Sequence, residues 1–507
     1  MEESSRRSDR LQNVLVQADH DRDRLDSSAF GPVSLTLLGI ASVVGAGIFV
    51  ITGTAAAEYA GPAVIISFVL AGIAAGLTAL CYAEMAAMIP IAGSTYSYVF
   101  AAFGVFMAWF IGWDLLLEYL FAASTVAVGW AGYMVGLLSN VGINVPNDLA
   151  NPPFGDDKGI INVPAAFVVA ATTALLVMGT RESVKANNIM VALKIGALLL
   201  FIVVGAMNVD TSNWSPFIPE NRGSFGDFGS SGVIRAAGIV FFAYVGFDAV
   251  STAAAESRDP RRTIPIGLLG TVLISTVLYV AVGLVMTGLV PYGTLNVADP
   301  ISEALRATPA HIDWLEDLIN VAAVIGLFAT VLVTFYGQTR ILMRMSEDGL
   351  LPARFGKVSP RFKTPVFTTI VCGIAGAIIA SLLPIEVLGE LVSIGTLFSF
   401  VLVAVGVLIL RHTHPDTPRP FRVPAVKLIA PLAILCSISL MATLPSETWI
   451  RLGIWLLIGL VIFFAYGRKK SRQIMARLSI EARERQAAGD SPGSHAGADP
   501  DGGPASN

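Results

Sequence analysis

Charged side chains are scarce in this chain of 507 residues, making up 14% of it against about a quarter in an ordinary soluble domain. Hydrophobic residues make up 54%, and the mean hydropathy is +0.70. A protein of this size in water needs a more highly charged surface than 33 basic and 37 acidic residues provide. The composition excludes a disordered chain, a disulfide scaffold and a nucleic-acid-binding protein. It predicts an all-α membrane protein that crosses the bilayer many times.

Cysteine, histidine and nucleotide-binding motifs are also scarce. Cys81, Cys372 and Cys436 lie in apolar runs without metal-ligand spacing, so they are predicted to be small buried side chains. None of the five histidines lies in an apolar run, so a proton relay inside the bilayer must use carboxylates or lysine. The pattern G-x-x-x-x-G-K-[ST] is absent, which argues against ATP-driven transport. No cofactor and no metal are expected.

Twelve apolar runs are long enough for membrane helices, since one crossing takes about 20 residues. They predict a transmembrane domain over residues 31–467, between a polar N-terminal tail (1–30) and a partly disordered C-terminal tail (468–507). The N-terminal tail lacks the apolar segment of a signal peptide. The runs cover roughly residues 33–57, 62–88, 97–136, 161–179, 187–208, 232–256, 265–290, 315–343, 365–384, 389–410, 426–444 and 448–467.

The distribution of basic residues predicts the orientation in the membrane. An even number of spans places both termini on one side. With both tails on that side, it carries 27 of the 33 Lys and Arg residues. Basic residues favour the cytoplasmic side of short loops. Both termini are therefore predicted to be cytoplasmic, in a multi-pass protein of the plasma membrane.

Two of the runs are interrupted near their middle. The first contains Gly45, Ala46 and Gly47, and the sixth contains Gly246 followed by Asp248. Lipid cannot satisfy the backbone groups freed by such breaks, so these groups must line an enclosed polar cavity. A half-helix N-terminus suits a carboxylate, and exposed carbonyls suit an ammonium group. Glycine can instead serve close helix packing, but matching breaks in two five-helix sets favour a transporter's binding site.

Several stretches resemble one transporter superfamily. VVGAGIFV in the first run, YAEMAAMIPIAGSTYSYV after the second and FFAYVGFDAVSTAAAESRDPRRTIPIG in the sixth resemble the amino acid–polyamine–organocation superfamily. YGQTRILMRMSEDGLLP, after the eighth, is similar to the cationic amino acid transporter family and its bacterial relatives. The resemblance covers residues 30–467. It implies alternating access and a LeuT-like fold, with inverted five-helix repeats over 33–208 and 232–410 and two peripheral helices over 426–467.

The resemblance also implies a binding mode for an amino acid. The substrate carboxylate is expected at the N–H groups of Gly45, Ala46 and Gly47. The amino group is expected at the carbonyls near Val43, Phe242, Ala243 and Val245. Ala46 stands where many relatives carry Ser or Thr, so a hydroxyl contact to the carboxylate is missing while the backbone donors remain.

Lys194 is a basic residue inside an apolar run. It sits about 13 Å from the cytoplasmic start of the fifth run at 1.5 Å per residue, where a lysine costs about 2.5–3.5 kcal/mol on insertion scales. Its side chain could snorkel to the interface. The resemblance instead implies coupling, because in proton-coupled members of the superfamily a lysine here replaces the cation that sodium-coupled relatives bind. The residue is therefore predicted to carry the coupled proton.

Acidic residues in the runs have two possible roles. Asp114 and Glu118 are four residues apart and share one helix face, either lining the cavity or hydrogen-bonding to a neighbouring helix. The family pattern favours Glu118 as the substrate-facing carboxylate. Asp248 is predicted to cap or orient the second half of the sixth span. Glu84, Glu256 and Arg258 are predicted to form inner-gate or structural ion pairs.

The eighth run predicts the type of substrate. Leu327 and Phe328, near its middle, are expected to face the substrate side chain, and no acid lies nearby for a distal charge. A neutral or small apolar amino acid is therefore favoured, carried by proton symport. The alternatives are an exchanger or uniporter for cationic amino acids or polyamines, an ion channel and a membrane-embedded enzyme. The expected partners are the amino acid, the proton and the lipid bilayer, with no nucleic acid and with an accessory subunit left open.

Overall fold

The computed structural model describes residues 31–89, 94–155, 158–179, 184–252, 257, 259–308, 312–362 and 364–467. These residues form helices joined by short loops, and the described ranges contain no β-strand. The α-helices are α1 Pro32–Val43, α2 Thr52–Ala55, α3 Val64–Met88, α4 Ser94–Phe103, α5 Val105–Asn140, α6 Asn147–Ala150, α7 Val163–Met178, α8 Val184–Ala206, α9 Gly229–Val240, α10 Ala249–Thr252, α11 Pro260–Leu289, α12 Pro300–Arg306, α13 Asp313–Glu347, α14 Val366–Leu382, α15 Ile385–Thr413, α16 Val426–Thr443 and α17 Ser446–Ile462.

Nine helical stretches in the described part of the chain are long and apolar enough to cross a bilayer. Three shorter apolar helices, α1, α7 and α14, accompany them. Within the described ranges, each predicted apolar run overlaps helical structure, but two boundaries differ. The third run is divided at Gly104, which has φ +90° and separates α4 from α5. One 42-residue stretch, Gly47–Met88, contains Gly61 at φ +59°, a conformation that ends a regular helix.

Burial separates an inner group of helices from the periphery. The most hydrophobic windows of α15 and of residues Gly229–Ser251 are each 72% buried, whereas that of Ser446–Gly467 is 22% buried. Inside, Tyr82 makes edge-on aromatic contacts with Phe247 and Phe400, whose rings are tilted relative to each other. The outer faces of α16 and α17 expose Leu435 and Val461, as expected of surfaces in lipid. Long helices α5 and α13 pack along each other and frame one side of the interior.

Candidate substrate site between two broken helices

The first break lies where the sequence predicts it. Helix α1 ends at Val43, Val44 is extended, and the chain resumes as a π-helix over Gly47–Ile51. The N–H groups of the first residues of a helix have no partner within it. Gly45, Ala46 and Gly47 therefore present a set of backbone donors at the start of the second half-helix, and all three line one cavity.

The second break follows a similar course. Helix α9 continues as a 3₁₀ turn over Phe241–Tyr244, after which Val245 is extended and Gly246 has φ +100°. That φ is costly for any residue with a Cβ, which explains the glycine. Helix α10 then begins at Ala249. The carbonyl of Phe242 accepts a hydrogen bond of 3.1 Å from the N–H of Val245, so part of the predicted acceptor set is already engaged.

The two breaks touch each other through their backbones. A Cβ built on Gly47 would lie 2.5 Å from the Cβ of Ala243 and 2.9 Å from its N atom. Only glycine at position 47 permits this approach. Although the breaks are about 200 residues apart in sequence, they form one continuous surface of main-chain atoms.

A cavity of about 1180 Å³ begins at this surface. It runs along α13 to Arg340, Arg344 and Glu347, and the last of these side chains is 51% exposed. Nine of the residues predicted for the site or for coupling line it: Val43, Gly45, Ala46, Gly47, Glu118, Lys194, Phe242, Val245 and Asp248.

Three of the predicted contact residues lie outside the cavity lining. Ala243 packs against Gly47, and its carbonyl accepts a hydrogen bond on the other side. Leu327 is buried and lies near Gly129 of α5, and Phe328 packs against the hydrophobic core. Their neighbours on α13 line the cavity instead, namely Gly326, Ala329, Thr330 and Val333. Helix α13, which contains the eighth run, lines the cavity as predicted, but through a different face from that of Leu327 and Phe328.

The cavity is closed on the other side of the breaks. Residues 295–306, here called the closing segment, lie against α2 and α5. Cβ atoms built on Gly53 and Gly132 would lie 2.5 Å from Pro300 and Ala298 respectively. A second cavity near Tyr59 and Glu390 measures only about 10 Å³, room for no more than about one water molecule. The site is thus accessible from one side only.

Lys194 points to the first break and not to the membrane surface. Its side chain is buried, and Nζ donates hydrogen bonds of 2.7 Å to the carbonyls of Ala41 and Val44. Those carbonyls belong to the end of α1 and the extended residue after it, so the break itself supplies the acceptors. A change in the protonation of the Lys194 amino group therefore changes its hydrogen bonds to the backbone that lines the cavity.

Tyr279 of α11 also holds both breaks, and sequence reasoning missed it. Its hydroxyl lies 2.8 Å from the carbonyl oxygen of Ala243 and 3.1 Å from that of Val43. A hydroxyl has one proton to donate, so it is shared between the two acceptors. A tyrosine inside an apolar run has no spacing that marks it as functional, so its role could not be predicted from the sequence. Its hydroxyl sets the distance between two carbonyls predicted to meet the substrate's amino group.

Comparison with known proteins decides the family. A family described as amino acid permease matches residues 30–466. The chain belongs to the amino acid permease family. This confirms the predicted resemblance, and the protein is a multi-pass membrane transporter and not an enzyme.

Individual relatives of the permease carry different substrate names. It is 45% identical over 437 residues to the methylthioribose transporter of Bacillus subtilis (strain 168), 86% of this chain and 93% of that protein. It is 46% identical over 446 residues to the branched-chain amino acid permease BcaP of the same organism, 87% and 93% respectively. It is 36% identical over 384 residues to the vacuolar cationic amino acid transporter 4 of Arabidopsis thaliana, 76% and 63% respectively.

Replacing Tyr279 with phenylalanine is expected to weaken substrate binding by the permease. The change keeps the ring contacts with Phe68 and Tyr244 but leaves two buried carbonyls without their donor. An unsatisfied buried group costs about 1–2 kcal/mol, or a 5- to 30-fold rise in KM, with a smaller effect on the maximal rate. Uptake kinetics in proteoliposomes measure both. Tyr244→Phe is the matched control, because its hydroxyl bonds to Phe68 away from the cavity; equal effects in the two variants would contradict the assigned role.

Glu84 of the permease forms an ion pair with Arg411. Its carboxylate accepts hydrogen bonds from Nε and Nη2 of Arg411 and from the N–H of Val423, and Arg419 lies 3.4 Å away. These contacts fasten the end of α3 to the connection between α15 and α16. Glu256 and Arg258, the other predicted gate residues, lie outside the described residues.

The closing segment of the permease carries a titratable group outside the membrane-spanning helices. Asp299 lies 3.2 Å from Arg306, which also contacts Glu303 and Glu316. Burial raises the pKa of the Asp299 carboxyl to about 6, against the opposing effect of Arg306. The closed conformation therefore binds the proton more tightly than one in which Asp299 reaches water, and it loses stability as pH rises from about 4 to about 6.

Asp299→Asn is expected to remove this pH dependence. The amide cannot ionise, so the variant should gain thermal stability relative to wild type as pH rises from about 4 to about 6, and the difference should level off above about 6. Melting temperatures of both proteins between pH 4.5 and 7.5 measure the difference. A difference that is constant across this range, or that shrinks with rising pH, would contradict the buried carboxyl's role.

Proposed function

We propose that this permease carries a neutral aliphatic amino acid across the plasma membrane together with a proton, by alternating access. The observation that supports this most is the contact between Gly47 and Ala243. It joins two helix breaks into one main-chain surface at the closed end of a cavity that opens to one side only. A carrier needs a site that faces one side at a time, whereas a channel needs a continuous pore.

The proposed binding mode uses backbone atoms for the part that all amino acids share. The N–H groups of Gly45, Ala46 and Gly47 receive the substrate carboxylate, and the half-helix dipole adds to the attraction. Carbonyls of the two breaks, near Val43 and Val245, receive the ammonium group. These contacts are independent of the substrate side chain.

The walls of the cavity support a neutral side chain. Beside the breaks they consist of Ala122 and Val126 of α5 and of Ala329 and Thr330 of α13, all uncharged. Glu118 is the acidic residue on this wall of α5. A substrate with a distal positive charge needs a carboxylate aligned with it, and small apolar residues occupy most of the available positions. An aliphatic side chain fits them without an unpaired charge.

Lys194 is proposed to carry the coupled proton. When charged, it holds the carbonyls of Ala41 and Val44, and when neutral it loosens this hold on the first break. Loading and release of the proton would then alternate with two geometries of the site. The proposal extends the fold as well, to twelve membrane helices in two inverted repeats, with both termini in the cytoplasm and the cavity facing it.

A second candidate substrate is methylthioribose. The observation that favours it is the 45% identity to a transporter of that name over 86% of this chain. This sugar thioether has neither a carboxylate nor an ammonium group, so the same N–H groups would bind hydroxyls. The 36% identity to a cationic amino acid transporter keeps arginine as a third candidate.

A binding screen on the purified permease separates the three candidates. Leucine, isoleucine, valine, alanine, arginine and methylthioribose are added singly, and the melting temperature is recorded. A true ligand at about 100 times its Kd stabilises the protein by about 2.7 kcal/mol. Stabilisation by the aliphatic amino acids, followed by their uptake into proteoliposomes, supports the proposal. Stabilisation by methylthioribose or arginine alone replaces it with the corresponding alternative.

A further inference from the structure

Two carboxylates are buried one helical turn apart on α5. Asp114 is fully buried, and Glu118 is 3% exposed. Both face α15, where Ser399 donates a hydrogen bond of 3.2 Å to Oδ2 of Asp114. Gly395 makes room for Asp114, since a Cβ there would lie 3.2 Å from Oδ1. The missing side chain at Gly395 therefore leaves room between the two helices for the carboxyl group of Asp114.

Each carboxylate of this pair has one oxygen without a hydrogen-bond partner. Among the described residues, Oδ1 of Asp114 and Oε2 of Glu118 are buried and receive no donor. Thr396 faces Glu118 across the interface with its hydroxyl as the donor. Two buried carboxylate oxygens without a donor indicate that a hydrogen atom or a cation belongs beside them.

No basic side chain in the described part of the chain pairs with either carboxylate. The ion pairs found among the described residues include neither Asp114 nor Glu118. The titratable groups that face the pair are Tyr119 on α5 itself, Tyr82 on α3 and Asp248 after the second break. Lys194 directs its ammonium at the carbonyls of Ala41 and Val44. Asp114 and Glu118, buried one helical turn apart, cannot both be ionised without a very large desolvation cost.

The surrounding backbone favours a proton over a metal cation. Sodium sites in transporters of broken helices use carbonyls freed by unwinding. Here α5 and α15 are continuous through positions 114–118 and 393–399, so their carbonyls are used within the helices. The remaining oxygens belong to side chains, and the hydroxyls of Ser399 and Thr396 direct their hydrogen atoms at the two carboxylates. A proton needs one oxygen to bond to and one to receive its hydrogen bond.

We propose that Asp114 and Glu118 together bind a proton and form a second proton site of the permease, distinct from Lys194. Glu118 lines the cavity while Asp114 does not, so protons reach the pair through Glu118. The site thereby links the cavity to the contact between α5 and α15. Binding of the proton follows from the geometry alone, whereas its use in coupling depends on the proposed function.

Infrared difference spectroscopy on the purified permease tests the bound proton directly, with or without transport. At neutral pH, wild type should show the carbonyl stretch of a protonated carboxylic acid, and Asp114→Asn or Glu118→Gln should remove it. Glu84→Gln is the matched control, because a carboxylate paired with Arg411 and Arg419 should contribute only ionised bands. Absence of the acid band in wild type, or its loss on adding sodium, overturns the proposal.

The number of protons carried per substrate tests the role in coupling. Reversal potentials in proteoliposomes give this ratio for wild type and for Asp114→Asn, which keeps the shape of the side chain. The ratio should fall by one proton in the variant while substrate binding in the thermal screen is retained. An unchanged ratio in a variant that has lost the infrared band removes the coupling role but leaves the bound proton. If wild type shows the band and the variants lose it, but wild type transports no amino acid, the result contradicts the proposed function and not the bound proton.

Discussion

Replacing Lys194 with arginine is expected to remove the part of gradient-driven substrate accumulation that depends on this residue. Arginine keeps a positive charge near the carbonyls of Ala41 and Val44 but does not give up its proton in proteins. If the residue serves only as a fixed charge, Lys194→Arg should accumulate substrate as wild type does. If it carries a proton, the variant should still exchange substrate across the membrane but should lose the accumulation driven by that proton. The comparison with Lys194→Ala, which has neither charge nor proton, separates the two roles.

The size of this effect follows from the driving force. One proton moving down about 100 mV and one pH unit supplies about 3.7 kcal/mol, enough for roughly 500-fold accumulation. Without coupling through Lys194, this proton contributes no accumulation. Uptake of labelled substrate into proteoliposomes with an imposed gradient measures it. Leu199→Ala is the control, because Leu199 lies on the same helix with its side chain exposed at the outer surface.

Accumulation as high as that of wild type in Lys194→Arg would contradict the role of Lys194 as a proton carrier. The variant must also retain substrate counterflow, because a variant that no longer binds substrate shows only that the first break is disrupted. Partial accumulation that is lost when Asp114→Asn is added assigns the remaining coupling to the pair on α5.

Gly47→Ala is expected to have the other large effect. The added methyl group would overlap the backbone and Cβ of Ala243, neither of which can rotate away. Overpacking of this kind costs about 1–3 kcal/mol or more and forces the backbones apart. The N–H donors of the first break would then move away from the carbonyls of the second. Substrate affinity should fall at least about tenfold, while the protein remains folded because the strain is local.

The matched control for Gly47→Ala is Gly76→Ala in α3. Gly76 is also a helical glycine, and a Cβ there would meet nothing within 4 Å. That change should leave uptake unaffected and slightly raise stability, since alanine is the better helix former. Binding in the thermal screen and uptake kinetics are measured on both. Wild-type affinity in Gly47→Ala would show that the two breaks do not act as one surface.

Features that depend on local chemistry could be predicted from the sequence. Gly47 and Gly246 marked the two breaks because a close backbone approach at the first and a positive φ at the second exclude other residues. Lys194 stood out because a charge in an apolar run is costly and rare. The apolar runs located the helices for the same reason that they are stable in lipid. The family resemblance then assigned the backbone donors, and the structure places them along the cavity.

Features that depend on three-dimensional packing could not be predicted. The orientation of α13 about its axis decides that Ala329 and Thr330 line the cavity and that Leu327 does not, and each residue turns the helix by about 100°. An apolar run is hydrophobic all round, so its sequence does not show which side faces the site. Tyr279 was missed for a related reason, since its partners come from segments far away in sequence.

The contact between residues 47 and 243 has an evolutionary consequence. Main-chain atoms at the closed end of the cavity are the same whatever side chains surround them, so under the proposed binding mode a change of wall residue leaves the contacts to the substrate's carboxylate and ammonium groups in place. Diversification can then proceed by exchanging a few wall positions such as Ala329 and Thr330. A lineage built in this way can acquire new nutrients by small steps, without first losing the ability to carry the old ones.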